Sequence, residues 1–156
     1  MHKQRIYIDT SVIGGCFDEE FAEWSNKLFD EFIEGKKIAV ISDIVIDELE
    51  EAPDAIKEKI RLIPIENIEQ VIKYEDADLL ASKYIEFKAI SKKFYNDALH
   101  IAIATINNCD VLVSWNFKHI VNYQRILLYN SINLMFGYKQ IEIRIPKEVL
   151  TYEEDF

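Results

Sequence analysis

What most constrains this chain is its rhythm: short apolar runs separated by longer stretches of helical periodicity. Ile6-Tyr7-Ile8 is a β-prone run that ends in the polar Asp9-Thr10-Ser11. Phe17, Phe21, Trp24, Leu28 and Phe32 then recur at spacings of three and four, the pattern of an amphipathic helix, which Gly35 stops. Residues 38–41 form a second apolar strand closed by Ser42-Asp43, and Ile44, Val45 and Leu49 continue as a helical stretch. Pro53 is placed to open another helix in its first turn, and Pro64 bounds it. The second half repeats the alternation. A helix is predicted over residues 76–90, and 96–107 is apolar on nearly every face, so that helix is expected to be buried. Val111-Leu112-Val113 is a third strand, residues 123–136 a further helix, and 141–145 an exposed or edge strand. Strand and helix in alternation predict an α/β fold with a mostly parallel central sheet.

Nothing divides the chain. Its 156 residues contain no internal repeat, low-complexity tract or Gly/Ser linker, so residues 1–156 read as a single domain. With 49% hydrophobic residues, four glycines and three prolines, this is a packed globular composition that needs no disulfide or structural metal to fold. Cys16 and Cys109 stand far apart with no partnering Cys/His cluster, which argues against zinc. No apolar run approaches the ~18 residues that span a membrane. The opening MHKQRIYIDTS is too short and too quickly polar for a signal peptide. A soluble, reduced, cytoplasmic protein with no membrane partner is the expectation.

Charge poses the functional question. Eighteen basic against twenty-eight acidic residues give a formal charge of −10. That argues against broad attraction to phosphates, but leaves room for a local basic strip or bound cations. Part of the excess sits in the tail, at Glu153, Glu154 and Asp155.

In open α/β sheets ligands gather at the carboxyl ends of strands. Asp9 follows the first strand, Asn116 lies just past the third, Asp97 opens the buried helix, and Glu48 lies on the helix after the second strand. Each has a plainer reading: Asp9, Thr10 or Ser11 as a helix cap, Asp97 as a cap or helix-dipole partner, Glu48 as part of a solvated acidic face, Asn116 as turn chemistry. Converging carboxylates would repel one another and raise their own pKa values, a conflict that a hard divalent cation such as Mg²⁺ or Mn²⁺ resolves.

Four segments in order, YIDTSVIGG, Ser42 with Ile46-Asp47-Glu48-Leu49, NDALHIAIA and LVSWNFKHI, resemble a PIN-domain ribonuclease from Tyr7 to about Ile120. The resemblance implies a three-layer α/β/α sandwich and metal-dependent hydrolysis of RNA phosphodiesters. It also implies a role as a VapC-like toxin of a toxin–antitoxin pair, often a homodimer that binds a small antitoxin. By motif, the family's acidic residues fall on Asp9, Glu48 and Asp97. Its fourth position, often aspartate, is Asn116 here, a weaker metal ligand that would reduce the site to one tight metal. On this reading Asp9 and Asp97 hold a cation that acidifies water and polarises the phosphoryl oxygen, Glu48 orients or ligates metal, and the Asn116 carbonyl positions water. Thr10, Ser11 and Ser114 are candidate phosphate or water contacts. The alternative is a PIN fold that no longer cleaves and acts as a binding or regulatory module, which Asn116 and the acidic charge both favour. A haloacid-dehalogenase-type phosphohydrolase ranks below both, because its second aspartate would fall on Ser11.

Lys83, Lys88, Lys92 and Lys93 form the densest basic stretch, and Lys118 and Arg125 flank Asn116, so Lys92, Lys93 and Lys118 are candidate RNA contacts. The competing reading is a solvated face balanced by acids. His100 is expected to be a hydrogen-bonded core or supporting residue, and His119 to be solvent-exposed. Gly14-Gly15 reads as a loop. Trp115 reads as core packing in preference to base stacking, and Phe21, Trp24, Leu28 and Phe32 as core or dimer interface.

Overall fold

The computed structural model describes residues 2–152, so the acidic tail residues Glu153, Glu154 and Asp155 lie outside the described residues. Five strands, β1 (Arg5–Ile8), β2 (Ile38–Ser42), β3 (Ile68–Val71), β4 (Val111–Val113) and β5 (Glu142–Arg144), form one sheet in the order β3-β2-β1-β4-β5. Every neighbouring pair is parallel. The central strand β1 sets Tyr7 opposite Val40 on one side and Leu112 on the other. Ile6, Tyr7, Ile8, Val40, Leu112 and Val113 are all fully buried, as strands covered on both faces require.

Eight helices supply the two outer layers, α1 (Thr10–Gly15), α2 (Ala22–Ile33), α3 (Asp43–Leu49), α4 (Asp54–Arg61), α5 (Glu75–Glu86), α6 (Tyr95–Ile106), α7 (Tyr123–Met135) and α8 (Pro146–Val149). Helix α1 packs on α2, α3 and α4, and α8 on α2; α5 packs on α6 and α7. The fold is a three-layer α/β/α sandwich. Among the described residues no helix is long and apolar enough to cross a membrane.

Strand order reverses at β1. The chain runs outward from β1 through β2 to β3, then returns to place β4 on the other side of β1. The crevice between the carboxyl ends of β1 and β4 is therefore the topological switch point, where open α/β sheets bind their ligands.

The helices expected at 44–49, 96–107 and 123–136 and the strands at 111–113 and 141–145 are present with their bounds shifted by a residue or two. Others differ. The amphipathic helix starts at Ala22 instead of Phe17, because the Asp18 carboxylate accepts the Glu20 N–H at 2.8 Å in a local turn that leaves Phe17 exposed. Gly35, with φ +78°, ends the helix as expected. Helix α5 stops at Glu86 instead of 90, followed by Lys88 in the left-handed region at φ 62°. Strand β3 was hidden because Glu69 and Gln70 break its apolar pattern at the sheet edge. Glu69 is committed to the Arg5 guanidinium through contacts of 2.7 and 2.8 Å.

Gly14-Gly15 is not a loop but the last turn of α1. A Cβ at Gly15 would lie 2.7 Å from both Ser25 Oγ and Trp115 Nε1, so glycine is what lets α1 approach α2 and the β4 loop this closely.

Candidate active site

Asp9 is placed by two requirements at once. It follows β1 directly, and its Oδ1 accepts the Val12 N–H at 3.3 Å, capping α1. Its carboxylate is also clamped by two hydroxyls: Ser11 Oγ donates to Oδ1 at 2.5 Å and Ser114 Oγ to Oδ2 at 2.6 Å. Ser114 follows β4, so the pair stitches the two strand ends together across the switch point. The hydroxyl oxygens are themselves fixed by backbone donors, Trp115 N–H to Ser11 and Asn116 N–H to Ser114, each at 2.9 Å.

Asp97 enters from the first turn of α6. Asn116 Nδ2 donates to Asp97 Oδ2 at 3.2 Å, while Asn116 Oδ1 accepts the His119 N–H at 2.9 Å. The amide thus faces Asp97 and its carbonyl is already engaged, which differs from the expectation that the carbonyl would position water. A continuous path of hydrogen bonds runs from Asp97 through Asn116 and Ser114 to Asp9.

Glu48 reaches the same region from α3, and its Oε1 accepts from His100 Nε2 at 2.7 Å. His100 stands one helical turn after Asp97 and is buried, with its Nδ1 2.7 Å from the Tyr7 hydroxyl. The supporting role expected of it holds. Tyr7 and Ser42, whose side chains meet at 2.7 Å, were not singled out as site residues. The available signal was the pleat: Tyr7 lies two residues before Asp9, on the same side of the chain.

Electrostatics mark the site. Burial pushes the Asp9 carboxyl above its ordinary value, against the opposing effects of His100, Ser11, Ser114 and the Val12 amide. Burial also raises Asp97, aided by the nearby Asp9 charge and opposed by His100, His119 and Asn116. Among the described residues no lysine or arginine pairs with either acid. Two desolvated carboxylates with hard oxygen donors and no cationic side chain fit a divalent cation by chemistry. Among the described residues, however, no group of three or more His, Cys, Asp or Glu side chains is already gathered to hold one.

The remaining candidates divide. Thr10 Oγ1 is buried, with no hydrogen-bond partner among the described residues. Lys92 and Lys93 are exposed on a short 3-10 turn, Lys92–Phe94, that leads directly into α6, and Lys118 is exposed in the loop after Asn116. Lys83 instead pairs with Glu86 at 2.9 Å, and Arg125 donates to the Ala89 carbonyl at 2.6 Å. His119 is not solvent-exposed. It is 7% exposed and stacks on Phe94 with ring centroids 3.7 Å apart, its Nδ1 buried without a partner. Burial lowers its pKa, and only the Asp97 charge opposes that. Trp115 is core, stacked on Phe21 at 4.3 Å with its indole N–H on Ser25 Oγ. Leu28 and Phe32 are fully buried, so they form no dimer interface, and the Lys27 and Lys147 ammonium groups lie 4.7 and 4.6 Å from the centre of the Trp24 ring.

This geometry coincides with a family match. The PIN domain family matches residues 6–118, which span β1 to the loop beyond β4 and contain all four positions. The chain belongs to the PIN domain family. No curated protein sequence matches it. Solved structures that share this fold include two at the same TM-score. One is VapBC2 from Rickettsia felis, bound to a DNA fragment from its promoter: TM-score 0.54, 15% identity, covering 74% of this chain and 90% of that one. The other is VapC20 from Mycobacterium tuberculosis, a toxin that cleaves the sarcin-ricin loop: TM-score 0.54, 11% identity, covering 87% and 98%.

Proposed function

We propose that this PIN domain is a divalent-metal-dependent endoribonuclease and the toxin of a toxin–antitoxin pair. The observation that carries the reading is the pair of desolvated carboxylates, Asp9 and Asp97, set without a cationic partner at the switch point of the sheet. PIN-domain nucleases generally use divalent metals, and the similarity to the two VapC proteins supports both an RNA substrate and an antitoxin partner.

Asp9, Asp97 and Glu48 are the residues that would hold Mg²⁺ or Mn²⁺. When bound, such an ion supplies Lewis acidity toward a phosphoryl oxygen and toward attacking water. The chain's own residues do the rest. Ser11 and Ser114 fix both Asp9 oxygens, and the Asn116 amide holds one Asp97 oxygen. The Thr10 hydroxyl is buried, so it supports the turn after β1 and is not a direct phosphate contact. Lys92, Lys93 and Lys118 supply local positive charge around a site whose protein is otherwise strongly acidic. A homodimer belongs to the same proposal. Exposed apolar side chains on α7, Leu127, Leu128, Leu134 and Met135, support a protein partner on that helix.

The test is cleavage of an RNA pool with Mg²⁺ or Mn²⁺. Wild type is expected to cut and to stop on chelation, and Asp97→Asn to lose at least about a hundredfold in rate, the scale of losing one charge-stabilising group. Equal cleavage by the variant refutes the site. A second reading, a PIN fold that binds without cleaving, is favoured by the lack of a pre-gathered set of three ligands among the described residues. RNA binding with no cleavage under either metal would establish it.

A further inference from the structure

The geometry points to a positioning device behind the site: Ser42, Tyr7 and His100 form a directed chain of hydrogen bonds that presents Glu48 through a neutral donor. The inference rests on the nuclease reading above and adds residues to it.

The direction follows from counting protons. Ser42 Oγ already accepts the Val45 N–H at 3.3 Å, as the cap of α3. Its own proton can then go to the Tyr7 oxygen, 2.7 Å away. The Tyr7 proton goes to His100 Nδ1, also at 2.7 Å, which leaves the ring proton on Nε2, facing Glu48 Oε1 at 2.7 Å. Every proton has an acceptor and every acceptor a donor. Run the other way, Tyr7 donates to Ser42 and accepts from Nδ1. The Ser42 hydroxyl proton is then without an acceptor, and a neutral His100 turns a bare Nε2 lone pair on a carboxylate. Buried groups avoid that arrangement.

Neutrality is what makes the chain useful. Glu48 is a long, rotamer-rich side chain, one third exposed, on a helix of seven residues, and holding it in one conformation has an entropic cost. A lysine or arginine could hold it, but would compete with any cation for its charge. A neutral imidazole N–H fixes one oxygen and leaves the carboxylate negative. Among the described residues the other oxygen, Oε2, has no hydrogen-bonded partner. His100 stands one turn after Asp97 on α6, so the residue that fixes Glu48 shares a helix with a second acid of the site. His100 and Tyr7 are positioning residues, acting through Glu48.

The test is Mn²⁺ affinity by calorimetry on the full chain, with RNA cleavage as a second readout. His100→Asn retains only a group near Nδ1 and is expected to weaken Mn²⁺ binding about 10- to 100-fold, the range for a lost partner of a metal ligand. His100→Gln, whose terminal amide reaches the Nε2 position, is expected to recover most of that loss. Tyr7→Phe keeps the ring packing but frees the tautomer, and is expected to fall between them; it serves as the measurement if His100→Asn does not fold. In a Glu48→Gln background His100→Asn is expected to have no further effect. Two results separate the failures. If wild type binds Mn²⁺, Asp97→Asn does not, and His100→Asn and Tyr7→Phe bind as wild type, the positioning chain is wrong and the nuclease site stands. If wild type binds no Mn²⁺, both fall together.

Discussion

Replacing Asp97 by asparagine separates a metal site from a structural carboxylate without requiring knowledge of the RNA. In the metal-free protein Asp97 sits in a conflict: burial and the Asp9 charge both oppose its ionised form. A group whose folded pKa is raised binds its proton more tightly folded than unfolded. Its ionisation therefore subtracts stability above the raised value, and that loss is recovered as the pH falls through it. Asparagine removes the charge, keeps the shape and can still meet the Asn116 amide. We expect the metal-free variant to be more stable at neutral pH, because the charge that burial and Asp9 disfavour is gone. Mn²⁺ should act in the opposite sense. A ligand at a hundredfold excess over its Kd stabilises the folded state by about 2.7 kcal/mol, hence about 5–10 °C for wild type. The variant should start higher and respond little. The assay is thermal unfolding against Mn²⁺ concentration at pH 7, with chelator controls, repeated at falling pH, where the metal-free gap between the two proteins should narrow as Asp97 takes up its proton. A variant that starts lower, or that responds with the wild-type midpoint, would refute the reasoning.

Four further outcomes follow from particular contacts. Lys37 and Glu31 form a buried pair at 2.6 Å, side chains 6% and 10% exposed, and Thr151 adds donors to Glu31. Lys37→Met should cost about 3–5 kcal/mol in denaturant unfolding by leaving the Glu31 charge buried with only the neutral Thr151 donors against it. Burial would raise Glu31, but Lys37 and Thr151 outweigh it and lower its pKa. The stability this contributes is present above the ordinary carboxylate range and should vanish as pH falls through the lowered value, a loss that Lys37→Met should reduce. Gly15→Ala should cost about 1–3 kcal/mol, since the new methyl overlaps Ser25 and Trp115; an unchanged denaturation midpoint would contradict the packing. Lys92→Ala with Lys93→Ala should reduce the salt dependence of RNA binding by about 1.4 in log–log slope, two single-strand phosphate contacts' worth. An unchanged slope returns both lysines to a solvated face. Asn116→Asp places a further carboxylate against Asp97, so it should lower the metal-free Tm and steepen the Mn²⁺ response; a metal-free Tm at or above wild type would show that the amide is no clamp.

Sequence patterning carries an element when burial is nearly complete. Strands β1 and β4 and helix α6 are apolar almost throughout, and each was legible at once. Strand β3 was not, because an edge strand needs only half its side chains buried, and its Glu69 serves Arg5 across the sheet. Helix α1 was masked by two glycines whose low helix propensity is overridden by the close approach they permit. The site divides along the same line. Motif order singled out Asp9, Glu48, Asp97 and Asn116 as candidates, but not the hydrogen bonds that join Asp97 to Asn116 and Glu48 to His100. His119 was misjudged because a loop position says nothing about which ring will stack on it, and here Phe94, 25 residues upstream, covers it.

The amide at 116 shows why composition alone misleads about charge at such a site. Every acid near the switch point is held by neutral donors: serine hydroxyls on Asp9, an amide on Asp97, an imidazole N–H on Glu48. Arginine or lysine in those places would satisfy the same oxygens and cancel their charge. Neutral donors satisfy geometry and leave the charge standing, so the site keeps its attraction for a cation while its side chains stay ordered. A fourth carboxylate in place of Asn116 would add repulsion beside an acid that burial already disfavours in its charged form. On this argument the amide is a partner suited to a site with three acids, and the net charge of −10 measures the protein's surface more than its affinity for RNA.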